Sequence, residues 1–409
     1  MLCPGSENKL HVIIPHMQIS SSRDLPKSNV IYTIALIGFI YALHIVLPMY
    51  SNSSFLSEFG SERIVSLIYM VGGAVSILGF LIAPSFIRRY GNYKTSVVLI
   101  CIQIILFIGL FFSASPTVIA TFFMVQLAVS ALIGLTLDIF LEVYTDSVHI
   151  GKVRGLYNAS LNASWLIAPL IGSMLIGSTG NYRNTFFAAL LMLLPFLYLI
   201  YRNFPRFKDP NYIHLSPVQL VKHIGGNKNW VKLFSANIIL QVFYSWMVVY
   251  SPIYLNKTMG FSWFDIGLIL TIMLLPFPLI QYPLGKIADE KYGEKEIMAL
   301  GFVIMGIATI FLAFINIPNV ALWALVLFIT RIGAASVEVM IESYFFKTVS
   351  PRDAAALGVF RITRPVSLFI APLITIVGLM FTTNQYLFVI IGVICLTAVI
   401  PALSIKDTN

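Results

Sequence analysis

The sequence predicts an all-α membrane protein with twelve transmembrane helices in two pseudo-symmetric six-helix bundles. Three observations carry that prediction: scarce charge, twelve apolar runs of bilayer-spanning length, and a repeat relating the first six runs to the last six. Of 409 residues, 58% are apolar and only 11% are charged, against about a quarter charged in soluble domains. Mean hydropathy is +0.88. A run of about 20 apolar residues crosses a bilayer as one helix, and a lone strand would leave its backbone unpaired in lipid. Each run is therefore read as a helix.

In chain order the runs fall near 30–50, 62–87, 93–113, 117–145, 153–177 and 183–203, then near 230–255, 262–288, 295–315, 319–346, 354–380 and 384–404. The first 28 residues are polar and broken by Pro4, Pro15 and Pro26. Lacking a continuous apolar stretch, they read as a cytoplasmic tail and not as a cleaved signal. The first bundle is expected over 29–204, a cytoplasmic linker over 205–229, and the second bundle with a short tail over 230–409. Within the linker, "SPVQLVKHI" has the pattern of a short amphipathic helix on the membrane surface.

Charge placement sets the orientation. With both termini inside, 20 of the 26 Lys and Arg residues fall on inner segments, while only Arg63, Arg183 and Lys257 fall outside. That asymmetry predicts cytoplasmic termini in the plasma (inner) membrane. The net charge of +9 then faces an anionic inner leaflet, and no nucleic-acid partner is expected. Cys3, Cys101 and Cys395 show no metal or disulfide spacing.

The repeat rests on three matches. "FIRRYGNYK" and "IADEKYGEK" follow the second and eighth runs, with Gly91 and Gly293 202 residues apart. Gly155 pairs with Gly358, and Ala168-Pro169 with Ala371-Pro372, at 203. "DIFLEVY" in the fourth run matches "EVMIESY" in the tenth at 200. A parallel six-helix repeat is a transporter architecture whose solute site lies near the midplane between halves.

On these residues the chain resembles the major facilitator superfamily. "GKIADEKYGEK" is similar to the superfamily's signature loop, with Gly285, Ala288, Asp289 and Gly293 matching and one residue inserted before the last. The first-half copy keeps Arg88, Arg89 and Gly91 but has Ile87 opposite Asp289. The resemblance implies that this loop locks the cytoplasmic side, with one of two symmetric locks lacking its acid. The fifth run also resembles the motif of drug–proton exporters, reading Gly155, Ser164, Ala168, Pro169, Gly172 and Ser173, with three glycines of the pattern replaced. Small residues there also permit plain close packing. By position, the resemblance implies that Tyr41 and His44 on the first helix, and Gln241 and Tyr244 on the seventh, face a central cavity. Asn162, Trp165, Gln281 and Tyr282 are weaker candidates of the same kind.

Charges inside the spans carry the functional reading, because each costs roughly 2.5–3.5 kcal/mol at a helix centre. They are Asp138 and Glu142, then Arg331, Glu338 and Glu342, then Arg361 and Arg364. At about 100° per residue, Arg331, Glu338 and Glu342 share one narrow stripe, and Asp138 and Glu142 share a face. At about 1.5 Å per residue, Glu338 and Arg361 lie at matching depth, which predicts an ion pair between them or with Arg364. Glu142 and Glu342 are shallower and are expected to meet basic inner loops (Arg88 and Arg89, or Lys291 and Lys295) as gate contacts. Asp138 and Glu338 are the candidates for carrying protons. Arg331, far from the acids of its own helix and unable to shed its charge, is the candidate for an anionic or carbonyl-bearing solute.

These readings favour a secondary active transporter of a small organic solute, proton-coupled and leaning to efflux. The alternative is proton-coupled uptake of a small, anionic metabolite. No ATP-binding loop of the form GxxxxGK[ST] is present. Of six histidines only His44 is deep in lipid, so no catalytic or metal constellation points to an enzyme. The expected partners are a small-molecule solute, protons and the bilayer. No cofactor is expected, and the chain is read as a monomer.

Overall fold

A computed structural model describes residues 27–144, 150–210, 225–288, 293–348 and 354–406. All regular structure there is helical, and twelve helices are long and apolar enough to cross a membrane. They are Ile31–Met49, Glu62–Tyr90, Asn92–Phe112, Pro116–Tyr144, Gly155–Ile176 and Arg183–Asn203, followed by Lys228–Thr258, Trp263–Gly285, Glu294–Leu312, Val320–Phe345, Ile362–Phe381 and Asn384–Ser404. We number them first to twelfth. The surface helix expected over 216–224 lies outside the described residues.

Two spans are less regular than the apolar runs suggested. The eighth breaks into Trp263–Leu274 and Pro276–Ile287, because Pro276 cannot donate the backbone hydrogen bond that continues a helix. The twelfth divides at Ala398 into Leu387–Thr397 and Val399–Ser404. Between the first and second spans, the short helix Asn52–Leu56 is buried along its whole length and packs against the seventh span.

Contacts between spans reproduce the repeat. In the first six, the first packs on the fifth and sixth, the third on the fourth and sixth, and the second on the fourth. In the last six, the seventh packs on the eleventh, the ninth on the tenth and twelfth, and the eighth on the tenth. The halves meet through the second on the eleventh and the fifth on the eighth. Exchanging each span for its counterpart in the other half (second for eighth, eleventh for fifth) turns one contact into the other, as a two-fold relation between halves demands.

The halves meet most closely on the face away from the termini. There Ser66 and Tyr250 share a hydrogen bond of 2.7 Å, Asn384 donates to Glu62 at 2.9 Å, and Tyr182 stands edge-on to Trp263 with centroids 5.2 Å apart. Gly267 sits so close to Ser173 Oγ and the Pro169 carbonyl that a Cβ there would have no room. The first piece of the eighth span therefore lies along the fifth, whereas its second piece barely touches it. At the opposite face, Glu142 and Glu342 are exposed. Among the described residues, the halves are thus closed against each other on the face away from the termini.

Candidate functional site

The site is built from one element used twice. On the first span, the Tyr41 hydroxyl donates to the Ser130 carbonyl of the fourth at 2.9 Å. It lies against Gly134 and within electrostatic reach of Asp138 and Arg364. On the seventh span, Tyr244 shares its hydroxyl proton between the Ala334 carbonyl at 3.3 Å and Glu338 Oε2 at 3.4 Å on the tenth. Tyr41 and Tyr244 are 203 residues apart, Gly134 and Ala334 are 200 apart, and so are Asp138 and Glu338. The repeat thus places a tyrosine over a carboxylate in each half, one helical turn from the backbone group the tyrosine touches. The sequence carries that twin pattern, since Tyr41 and Tyr244 stand at the offset of the repeat.

The second copy is more elaborate. Gln281 of the eighth span donates to Glu338 at 3.3 Å, and Arg364 and Arg331 act on the same carboxylate electrostatically. Arg364 is exposed and influences both Tyr41 and Tyr244, so it stands between the twin elements. The expected ion pair of Glu338 is a looser arrangement than predicted. Its hydrogen bonds go to Tyr244 and Gln281 while Arg364 stays within electrostatic range; the side chain of Arg361 lies outside the described residues. Asp138 is half-buried.

Arg331 is 2% exposed. Its guanidinium lies over two rings of the seventh span, 5.1 Å from the centroid of Phe243 and 5.2 Å from that of Tyr244. Tyr50, at the end of the first span, is in electrostatic range. Arg331 also feels Glu338, so it is less remote from the acids of its own helix than the spacing implied. Their seven-residue spacing is two turns, which keeps them about 10 Å apart along the axis.

Other expected site residues separate into three groups. His44 is 0% exposed and turns into the interior of the first half, not towards the second. Its neighbours are Tyr41, Phe107 and Phe196, with centroids 5.5, 6.1 and 6.1 Å away, and neither ring nitrogen has a partner among the described residues. Gln241 is nearly buried and makes no hydrogen bond among the described residues. At the face of the termini, Arg88 and Arg89 are exposed, and Arg89 lies over the Tyr90 ring. Neither pairs with Glu142 of the fourth span among the described residues, so the expected gate contact within the first half is not formed there. Lys295 pairs with Glu296 at 3.4 Å, and Asp289 and Lys291 lie outside the described residues.

Two acids escaped the sequence reading. Glu294 is 0% exposed at the start of the ninth span, where it accepts from Lys347 at 2.6 Å and Ser343 at 3.2 Å. Its place directly after Gly293, in the first helical turn, was the available signal. Asp209, just beyond the sixth span, accepts from the Asn92 backbone N–H at 2.7 Å. It thereby supplies a carboxylate at the helix start where the first-half loop has Ile87 in place of an acid.

A twelve-helix carrier with a polar site between pseudo-symmetric halves is the class these features define. The family model of the Major Facilitator Superfamily matches residues 32–289 and 248–409, so the chain belongs to that superfamily. Among solved structures, the crystal structure of a single-site mutant of the nucleoside transporter NupG is similar in fold, with a TM-score of 0.75 over 93% of this chain and 100% of that one. Sequence identity is 12%, so the likeness is one of fold. No curated protein matches the chain. The chain is a multi-pass membrane transporter of a small solute.

Proposed function

We propose that the chain moves a small polar organic solute by alternating access, coupled to protons through Glu338 and Asp138. The observation that supports this reading is Glu338 itself. A half-buried carboxylate on the surface between halves, held by Tyr244 and Gln281 with Arg364 in range, can exchange charge for a proton without losing its neighbours. Its twin, Asp138, stands beside Tyr41 in the other half. Rocking about the seams of the second and eleventh and the fifth and eighth spans would expose both acids to each side in turn. With both termini on the cytoplasmic side, as the distribution of Lys and Arg suggests, the closed seam, where Ser66 meets Tyr250 and Glu62 meets Asn384, lies on the outer side.

Direction is a matter of charge and packing. The small residues of the fifth span, which suggested export, are accounted for by close approach: a Cβ added at Gly172 would come within 2.7 Å of the Leu47 carbonyl, and one added at Gly267 would collide with Ser173. We therefore favour uptake, with the solute and proton moving together. The hydrogen-bonding groups of Tyr244, Gln281 and Glu338 on the surface between halves support a polar solute over a purely apolar one.

Purified protein in liposomes with an imposed pH gradient, offered a panel of nucleosides, sugars, amino acids and carboxylates, tests the reading. Accumulation that follows the gradient and collapses with a protonophore is expected. Flux of every accepted solute that ignores the gradient would contradict proton coupling.

A further inference from the structure

The reading above leaves open why the tenth span carries Arg331. Its position in the first half, 200 residues earlier, is Ala131, so the repeat does not require a cation there. A guanidinium has five N–H donors and cannot shed its charge. Here it is 2% exposed, its Nε has no acceptor, and it makes no ion pair among the described residues. Two aromatic faces steady it, but a ring face satisfies none of the in-plane donors. A buried cation whose Nε–H lacks an acceptor is destabilising unless something arrives to complete it.

What arrives must match a planar fork, which is the geometry of a carboxylate. Phosphate would suit the fork too, but its second charge would meet Glu338 in the same electrostatic field. We propose that the transported solute is a small organic monocarboxylate, with Arg331 as its anchor beneath the closed face, between Tyr50 and the rings of Phe243 and Tyr244. This rests on the transport reading and adds a substrate class to it. It also gives the proton a task. An anion entering a cell works against an inside-negative potential, and one proton taken up on Glu338 or Asp138 makes the step electrically neutral. No covalent chemistry is involved.

The test separates binding from transport. Detergent-purified full-length protein is heated with each of lactate, pyruvate and benzoate, with the matched neutral amide of each, and with inorganic phosphate. A higher midpoint with at least one carboxylate, and none with its amide, is expected. Equal response to acid and amide, a response to phosphate alone, or no response to any carboxylate overturns the proposal. Arg331→Met should raise the ligand-free midpoint by a few degrees, because a buried unmatched charge is removed, and abolish the carboxylate response. A lower midpoint in that variant would assign Arg331 a structural role and overturn the proposal, and Arg331→Lys, which keeps the charge without the fork, should keep a weakened response. In liposomes, gradient-driven flux of amides alone would defeat the carboxylate while leaving transport standing. Absence of any gradient-driven flux would defeat the transport reading while the heating experiment still reports on the anchor.

Discussion

The two halves carry the same tyrosine–carboxylate element and use it in different company. In the first half, Tyr41 donates to the backbone and Asp138 stands nearby. In the second, Tyr244 reaches Glu338 directly, Gln281 adds a second donor, and Arg331 lies two turns further along the same helix. Duplication explains what the halves share, since one fold element copied at an offset of about 200 residues carries its polar pair with it. What they do not share is where solute recognition can reside. On the proposals above, the symmetric pair serves the alternating machinery and the asymmetric cation holds the cargo.

That division can be broken by substitution. The largest effect is expected from Arg331→Ala, which should lower transport about 100-fold through the apparent affinity, as removal of a buried charged anchor costs roughly 2–5 kcal/mol. Uptake measured against solute concentration shows it; an unchanged affinity would move recognition elsewhere. Next come Glu338→Gln and Asp138→Asn, each expected to abolish accumulation above equilibrium while leaving expression intact. Normal active transport in both variants would remove protons from the account.

Smaller effects sharpen the comparison. Tyr244→Phe removes a hydrogen bond to a carboxylate, whereas Tyr41→Phe removes one to a backbone carbonyl. With about 1 kcal/mol for such a bond, Tyr244→Phe should shift the pH profile of transport and change its rate about five-fold. Tyr41→Phe should instead lower thermal stability slightly and leave the pH profile in place. The smallest effect is expected at Gly134, whose added Cβ would press on the Tyr41 hydroxyl, whereas its counterpart Ala334 already has one. Gly134→Ala should slow transport a few-fold without loss of heat stability, since alanine favours a helix by roughly 0.5–1 kcal/mol over glycine. Ala334→Gly should lose stability by a similar amount and keep its rate. Equal behaviour of the pair would mean that the tyrosine contact carries no weight.

Most of the fold was legible because lipid imposes it. Apolar run length alone located the spans within a few residues, and the repeat is matched by the crossed contacts of second on eleventh and fifth on eighth, which the sequence reading did not foresee. Helix periodicity put Arg331, Glu338 and Glu342 on one stripe, and the structure grades them from buried through half-buried to exposed. Legibility failed where a residue's neighbours come from other spans. His44 lies three residues from Tyr41, yet it points into the bundle, because 3.6 residues per turn leaves about 60° between them and nothing in one helix says which side faces its own half. The break at Leu275 needed only Pro276, but a long apolar run masked it. Asp209 was hidden for a different reason: its role depends on a helix start more than 100 residues earlier, a distance no local pattern spans.

The central claim is that Glu338 couples protons to a solute that Arg331 holds. It is tested most directly by measuring two activities of Glu338→Gln in the same liposomes, with a solute that the wild-type protein accumulates. Solute exchange between two equal pools needs binding and rocking but no proton gradient, whereas accumulation needs coupling as well. Exchange should persist near the wild-type rate while gradient-driven accumulation disappears. Loss of both activities would make Glu338 a solute ligand, and survival of both would place coupling elsewhere; either result contradicts the account.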